Sequence, residues 1–201
     1  MTERGSAAMS STRAERGAAT VARLLDAAST LLCTEGAAAV TIQRVADAAG
    51  TSKALVHYHF ADKDALLVAC AERVTAHLTA AEGSALATST AETALADLWL
   101  GHMSPETCAV RRALLALITD ASEATRSALS AAMRRRRLAL AGLIGRLEAL
   151  MSFAPEVHSG TLVAAYTALI DGLTLQRTVD PGDDHRRAFD AFWLAILSLD
   201  R

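Results

Sequence analysis

Prolines, cysteines, aromatic residues and lysines are all scarce in this chain of 201 residues. It has three prolines, three cysteines and two lysines, and aromatic residues make up 4% of it. An apolar fraction of 52% with so little proline is typical of a packed, mostly helical protein rather than a disordered one. Because alanine and leucine favour helices and strand-length β-branched runs are rare, the sequence predicts an all-α fold.

The cysteines do not form a disulfide or zinc pattern. Cys33, Cys70 and Cys108 are odd in number, far apart and without a CxxC pair. We interpret them as small reduced core residues, with redox sensing as the alternative.

Residue patterns that would indicate catalysis or metal binding are also missing. No HxxxH pair or carboxylate at metal-ligand spacing accompanies His77, His102, His158 or His185. The sequence has no nucleophile elbow, phosphate-binding loop or paired carboxylates. We therefore predict no metal, no cofactor, no catalytic residues and no enzymatic activity.

Long apolar segments and an excess of positive charge are absent as well. No run approaches the roughly 18 apolar residues of a membrane span, and no early segment resembles a signal peptide. This predicts a cytoplasmic protein without a membrane partner. The net charge of −2 gives no overall electrostatic case for nucleic-acid binding, so any such case must be local.

The pattern divides the chain into residues 1–15, 16–80 and 81–201. The first part is small and polar without periodicity, which predicts a mobile arm. Arg13 and Arg16 could contact DNA from this arm, although a solvated tail is the simpler interpretation. The third part is predicted to contain longer helices over 88–103, 106–121, 124–151, 156–178 and 184–199, with prolines at their boundaries.

The middle part has the signals of a helix-turn-helix. An amphipathic stripe from Val21 predicts a helix that Gly36 ends. Thr41 is the predicted N-cap of a short helix, and Gly50 provides the turn after it. Two short helices joined by a tight glycine turn form a helix-turn-helix.

The second short helix is predicted to be capped by Thr51 or Ser52 and to run to about His59. Asp62 then caps a long helix that ends near Ala81. In a helix-turn-helix protein, such a second helix lies in the major groove of double-stranded DNA.

Unusual side chains concentrate around this second helix. Both lysines of the chain, Lys53 and Lys63, flank it, and two histidines, Tyr58 and Phe60 lie close by. Lys63 begins a helix, where the dipole disfavours a cation by a few tenths to ~1 kcal/mol. A phosphate docked there would explain this placement. Phe60 is interpreted as a core residue.

The chain resembles the N-terminal domain of TetR-family transcriptional regulators in three segments, AASTLLCTEG, TIQRVADAAGTSK and YHFADKDALL. The resemblance covers about residues 18–78. It implies a homodimer that binds a palindromic operator, with a three-helix head and a body that accepts a small-molecule effector. Residues 168–176 also resemble a subgroup that includes the regulator of betaine synthesis.

By position, the resemblance implies phosphate contacts for Thr41, His57 and Lys63. The residues expected near bases or the adjacent backbone are Gln43, Arg44, Ser52, Lys53, Ala54, Leu55 and Tyr58, and His59 belongs to the same predicted groove-facing helix. His57 stands where the family commonly has tyrosine.

Two apolar faces in the last two predicted helices are wider than one packing partner needs. We predict that they form a dimer interface, and a buried monomeric core is the alternative. The interface residues are Leu162, Tyr166, Leu169, Ile170, Leu173, Phe189, Phe192, Trp193 and Ile196.

A ligand pocket in the body is predicted from large, polarisable or weakly polar residues in an alanine–leucine background. The candidates are Trp99, His102, Met103, Cys108, Phe153 and Tyr166. Scarce aromatic residues argue against a quaternary-amine cage and favour a mainly apolar effector. The four arginines over 134–137 spread around a helix, so we interpret them as solvent-facing.

These features predict a ligand-responsive transcriptional repressor that a small molecule releases from its operator. An activator or a corepressor-dependent regulator is the first alternative. The second is an all-α enzyme or ligand carrier.

Overall fold

The computed structural model describes residues 3–199, which form nine α-helices and a short 3₁₀ turn. The α-helices are α1 (Glu3–Glu35), α2 (Ile42–Ala48), α3 (Lys53–His59), α4 (Lys63–Ser84), α5 (Ala94–Met103), α6 (Pro105–Asp120), α7 (Glu123–Met151), α8 (Ser159–Val179) and α9 (His185–Leu197). The all-α prediction is confirmed.

Side-chain caps set the starts of α2, α3 and α4. Thr41, Ser52 and Asp62 each accept a hydrogen bond from the backbone N–H three residues further on, at 3.2, 3.2 and 2.8 Å. Each bond satisfies one of the free N–H groups of a first helical turn. Ser52, rather than Thr51, is thus the cap of the second short helix.

Two glycines end the helices that precede the turns. Gly36 follows α1 with a φ of 87°, and Gly50 lies between α2 and α3 with a φ of 60°. Both angles are in the left-handed region that favours glycine. The predicted turn chemistry is confirmed at both positions.

Two helix starts differ most from the sequence-based boundaries. The arm predicted over residues 1–15 is helical from Glu3 onward as part of α1, and its first two residues lie outside the described range. By contrast, α5 begins later than predicted, at Ala94 rather than near residue 88. Thr93 Oγ1 accepts a hydrogen bond from the Thr90 N–H at 3.1 Å, which favours a turn over an earlier helix start.

The buried side chains form two clusters. The head cluster joins α1–α4 and extends to α6 and α7, and it includes Phe60, whose predicted core position is confirmed. The body cluster joins α5, α7, α8 and α9 and includes Cys108 of α6. Helix α4 takes part in the head cluster through Leu66 and reaches the body with Glu82 near its end. One continuous helix therefore connects the two parts of the molecule.

Candidate DNA-binding surface and effector site

Helix α3 presents most of its predicted contact residues to solvent. Ser52, Lys53, Ala54 and His57 are exposed, and Tyr58 is exposed over 76% of its area. Leu55 and His59 are half-buried. Val56 is fully buried in the head cluster, which fixes the opposite face of the helix inward. The packing thus holds a row of small, cationic and aromatic side chains on one open face.

Two of the predicted contacts in α2 already have partners within the head. Arg44 donates to both carboxylate oxygens of Glu35 at 2.8 and 2.6 Å, which ties α2 to the end of α1. These hydrogen bonds between the two side chains lower the pKa of Glu35 and raise the pKa of Arg44. Gln43 donates to Asp47 on the same helix at 2.7 Å.

Lys63 is the first residue of α4, as predicted, and it is exposed. Asp62 caps this helix by accepting a hydrogen bond from the Ala65 N–H. The N–H groups of the helical residues before Ala65 have no acceptor within the helix. Thr41, the remaining predicted phosphate contact, is half-buried with its hydroxyl accepting from the Arg44 N–H. Lys53, His57 and Lys63 therefore supply the exposed cationic or protonatable groups around α3.

A buried ion cluster lies in the body, where α4, α6, α7 and α8 meet. It consists of Glu82, Arg111, Arg136 and Asp171, of which the first three side chains are at most 2% exposed. Arg136 donates from Nε and Nη2 to Glu82 at 3.0 and 2.7 Å, and from Nη1 and Nη2 to Asp171 at 3.1 and 2.9 Å. Two carboxylates thus balance two guanidinium groups.

Arg111 connects this cluster to α5 and α8. Its Nη2 donates to Glu82 at 3.1 Å, and its Nη1 donates to the His102 carbonyl at 2.9 Å and to Thr174 at 2.7 Å. Nη2 also lies 3.2 Å from His102 Nδ1. The end of α5 is therefore linked, through one guanidinium group, to the end of α4.

Burial and charge act in opposite directions on these groups. Burial alone would lower the pKa of Arg136, but the hydrogen bonds and charges of Glu82 and Asp171 outweigh it and raise that pKa. Burial, followed by the charges of Arg111 and Arg136, holds the pKa of His102 well below its usual value. Arg136 is therefore charged, and His102 is neutral at physiological pH.

The sequence did not predict the ion cluster, and the prediction for one of its members, Arg136, was wrong. Arg136 belongs to the run interpreted as solvent-facing, yet its side chain is completely buried, whereas 134, 135 and 137 are exposed. The available signal was periodicity, because Arg136 lies four residues from both Ala132 and Leu140 in the buried stripe of α7. Glu82 continues the buried stripe of α4 after Leu78 in the same way.

The six predicted pocket residues come together in the body. Met103, Cys108 and Phe153 belong to the body cluster, Trp99 packs against it, and the His102 and Tyr166 rings lie 5.5 Å apart. Three of these six belong to an aromatic cluster that also contains residues of α9. The cluster consists of Trp99, Phe153, Tyr166, Phe189, Phe192 and Trp193. Six of the eight aromatic residues of the chain thus lie in one place.

Two surface clefts flank these cores. One, of 540 Å³, lies between α1, α4 and α6 and is lined by Cys33, Arg73 and His77 among others. The other, of 470 Å³, is lined by Trp99, Met103, His185 and Arg186 among others. Of these two clefts, the second is the one that includes predicted pocket residues.

The predicted dimer residues mostly lie inside the chain's own core. The six that are at most 3% exposed are Leu162, Tyr166, Ile170, Leu173, Phe189 and Trp193. The other three, Leu169, Phe192 and Ile196, are half-buried. Six of the nine therefore belong to the core of the single chain.

The three cysteines are free thiols, as expected, but they differ in burial. Cys70 and Cys108 are buried and Cys33 is half-buried. Within residues 3–199, no three His, Cys, Asp or Glu side chains are grouped so that they could hold a metal ion. No described helix has the length and apolar character needed to cross a membrane.

A helix-turn-helix head with an open second helix, joined by a continuous helix to a larger all-α body, defines a two-part helix-turn-helix protein. Residues 24–70 match the family model described as bacterial regulatory proteins, tetR family. The head of the chain is therefore similar to TetR-family regulators over these residues. A comparison with curated proteins found no match.

Solved structures share the fold over most of the chain. A TetR-family transcriptional regulator from Rhodococcus sp. is 21% identical with a TM-score of 0.72, covering 89% of this chain and 98% of that one. The regulator PfmR from Thermus thermophilus is 23% identical with a TM-score of 0.61, covering 88% and 97%. A transcriptional regulator from Saccharomonospora viridis in complex with choline is 24% identical with a TM-score of 0.69, covering 87% and 95%. The predicted TetR resemblance is confirmed, and the betaine-synthesis subgroup stays a prediction.

Proposed function

We propose that the chain is a transcriptional repressor that binds a palindromic operator as a homodimer and is released by a small molecule. The observation that carries this proposal is the exposed face of α3 in a TetR-type head, with the only two lysines of the chain beside it. Such a helix reads base edges in the major groove while flanking cations bind phosphates.

Different side chains are proposed for different parts of this contact. Lys63 and the free N–H groups of α4 would bind one phosphate, because an ammonium group and a helix N-terminus attract the same anion. Ala54 and Leu55 can pack on a thymine methyl group, and Lys53 can donate to guanine. Arg44 would contact DNA only if it broke its hydrogen bonds to Glu35 or divided its donors between Glu35 and a phosphate. We therefore assign Arg44 mainly to holding α2 against α1.

We place the proposed dimer interface on the outer faces of α8 and α9. Leu175, Val179 and Leu194 are 49%, 88% and 69% exposed on these helices, although they are large and apolar. Exposed alanines continue both faces at helical spacing, at positions 164, 165 and 168 of α8 and 188, 191 and 195 of α9. Exposed apolar faces of this kind are typical of subunit contacts, and small residues let helices approach closely.

Effector control would act through α4. This helix carries Lys63 at its head end and Glu82 at its body end, where Arg111 links it to His102. An effector that binds beside His102 would change the position of the α4 end, and with it the separation of the two heads. It would weaken DNA binding only by the difference in its affinity for the two arrangements, typically ~1–3 kcal/mol.

Fluorescence anisotropy with labelled duplex DNA from the region upstream of the gene tests the proposal. Lys63→Ala should weaken binding about tenfold, equivalent to ~1.4 kcal/mol, for all sequences alike and reduce the salt slope by about 1. Arg137→Ala is the matched control, since it removes one exposed cation from α7. Equal affinity and equal salt slope for the wild type and Lys63→Ala would contradict the phosphate role.

A further inference from the structure

We propose that the aromatic cluster of the body binds an uncharged aromatic molecule that carries a hydrogen-bond acceptor, such as a carbonyl oxygen. The proposal deepens the proposed function, because it names the chemical class of the effector. Only the regulatory role of the bound molecule rests on that function, because the binding site itself follows from the contacts of the body alone.

Besides Arg111 Nε, which lies 3.5 Å from Asp171 Oδ1, three buried donors in this region have no acceptor among the described residues. They are His102 Nε2, Tyr166 Oη and Trp193 Nε1, which come from α5, α8 and α9. Their side chains are 0%, 0% and 1% exposed. The ring of Tyr166 lies 5.5 Å from that of His102 and 5.4 Å from that of Trp193, so the three residues are neighbours.

The chemistry of each group identifies it as a donor. A guanidinium group only donates, so His102 Nδ1 must accept from Arg111 Nη2 and the ring proton is on Nε2. The indole of Trp193 can only donate. Burial, followed by the charge of Glu82, raises the pKa of Tyr166 well above its usual value, so the hydroxyl keeps its proton. Within the described part of the chain, the site therefore offers N–H and O–H groups and lacks their acceptors.

Leaving buried donors without acceptors is unfavourable, and native proteins rarely do so. A ligand oxygen would satisfy one or more of them, and the surrounding rings would pack on an aromatic ring of the ligand in edge or offset contacts. This combination selects for a flat molecule with a polar acceptor at one edge.

The charges around the site argue against an ionic ligand. Glu82 and Asp171 already balance Arg111 and Arg136, and His102 is held neutral, so these five groups leave no net charge for a counter-ion. Transfer of an unpaired ion into such a site is strongly unfavourable. A cation such as the choline of the Saccharomonospora viridis complex would also face the positive ends of the three donors.

The cleft of 470 Å³ borders the aromatic cluster at Trp99. Its wall includes Trp99, which is half-buried and lies 5.4 Å from Phe189 between ring centroids. Phe189 in turn contacts Trp193 at 6.3 Å. Arg186 lies over Trp99 and Phe189 at 5.7 and 5.6 Å, at the entrance. None of the three donors lines the cleft, so a ligand would reach them from this side only if Trp99, Arg186 and the buried Phe189 moved.

Four small probes of similar size test the selectivity in calorimetric titrations of the full chain. Acetophenone has a ring and an acceptor, ethylbenzene has the ring alone, benzoate is an anion and phenyltrimethylammonium is a cation. We expect acetophenone to bind at least fivefold more tightly than each of the others, since one hydrogen bond contributes roughly that factor. Equal binding of acetophenone and ethylbenzene, or preferred binding of either ion, would overturn the proposal.

The two tyrosines of the chain provide a matched pair of variants. Tyr166→Phe removes a buried donor and should abolish most of the preference for acetophenone over ethylbenzene, without lowering the melting temperature. Tyr58→Phe, on the exposed face of α3, should leave the preference unchanged. A lower melting temperature of Tyr166→Phe with an unchanged preference would show that the hydroxyl is structural, and it would overturn the proposal.

DNA binding is measured separately, so the two proposals fail independently. If no probe binds while anisotropy shows operator binding, the ligand site is wrong and the regulator stands. If acetophenone binds selectively while no DNA is bound, the site stands and the regulator is wrong.

Discussion

The buried ion cluster makes one substitution especially informative, Glu82→Gln. Glutamine keeps the shape of the side chain but removes its charge and places an amide N–H₂ near guanidinium donors. In the wild type, Glu82 accepts three hydrogen bonds from two arginines, at 3.0, 2.7 and 3.1 Å. Arg111 and Arg136, both completely buried, would then share a single carboxylate, Asp171.

The expected cost follows from this burial. Removing one partner of a buried charge pair typically costs ~3–5 kcal/mol, because the other charge stays buried without compensation. Domains of ordinary stability have a free energy of unfolding of ~5–15 kcal/mol, so the loss is a large fraction of the total. For a chain of this size it corresponds to a melting temperature lower by roughly 6–20 °C.

Urea denaturation followed by circular dichroism measures the change in the free energy of unfolding. Glu106→Gln is the control, because Glu106 pairs with His77 at 3.2 Å while the two side chains are 76% and 53% exposed. Such a surface pair contributes at most ~1 kcal/mol. If Glu82→Gln cost no more than Glu106→Gln, the ion cluster would not be the structural link between α4 and the body.

Three further outcomes are expected from the pKa shifts and ion pairs. His102 has a lowered pKa in the fold, so its contribution to stability is present above about pH 6.5 and is lost at lower pH, by up to ~1.4 kcal/mol per pH unit; urea titrations at pH 7 and pH 5 should show this loss, and His102→Asn should reduce it. Glu35→Gln should release Arg44 toward phosphates and increase the salt slope of DNA binding by about 1 in anisotropy titrations, whereas a decreased slope would argue against an available Arg44. Burial raises the pKa of Cys70 to about 11, so iodoacetamide at pH 8 should label half-buried Cys33 before it by mass spectrometry, and faster labelling of Cys70 would contradict its burial.

The head was predictable because its signals are local. Thr41, Asp62 and the two turn glycines each act within about four residues, so their roles can be read from short stretches of sequence. The first helix was the exception, because residues 3–15 have no apolar periodicity and are helical nonetheless.

The body was predictable in its helices but only partly in its contacts. Arg136 pairs with residues 54 and 35 positions away, and no local pattern specifies such partners. The aromatic residues of α8 and α9 were assigned to a subunit interface, because a wide apolar face does not reveal which neighbour covers it. In the fold, the chain covers most of them itself.

Selection of duplexes from a random DNA pool tests the central claim most directly. The account predicts enrichment of an inverted repeat whose half-site centres lie about one helical turn, ~34–36 Å, apart. It also predicts that a variant with Lys53→Ala and Tyr58→Ala loses this enrichment, whereas Arg137→Ala keeps it. A pool that shows no enriched sequence, or the same enrichment with the α3 variant, would contradict sequence-specific DNA binding by this helix.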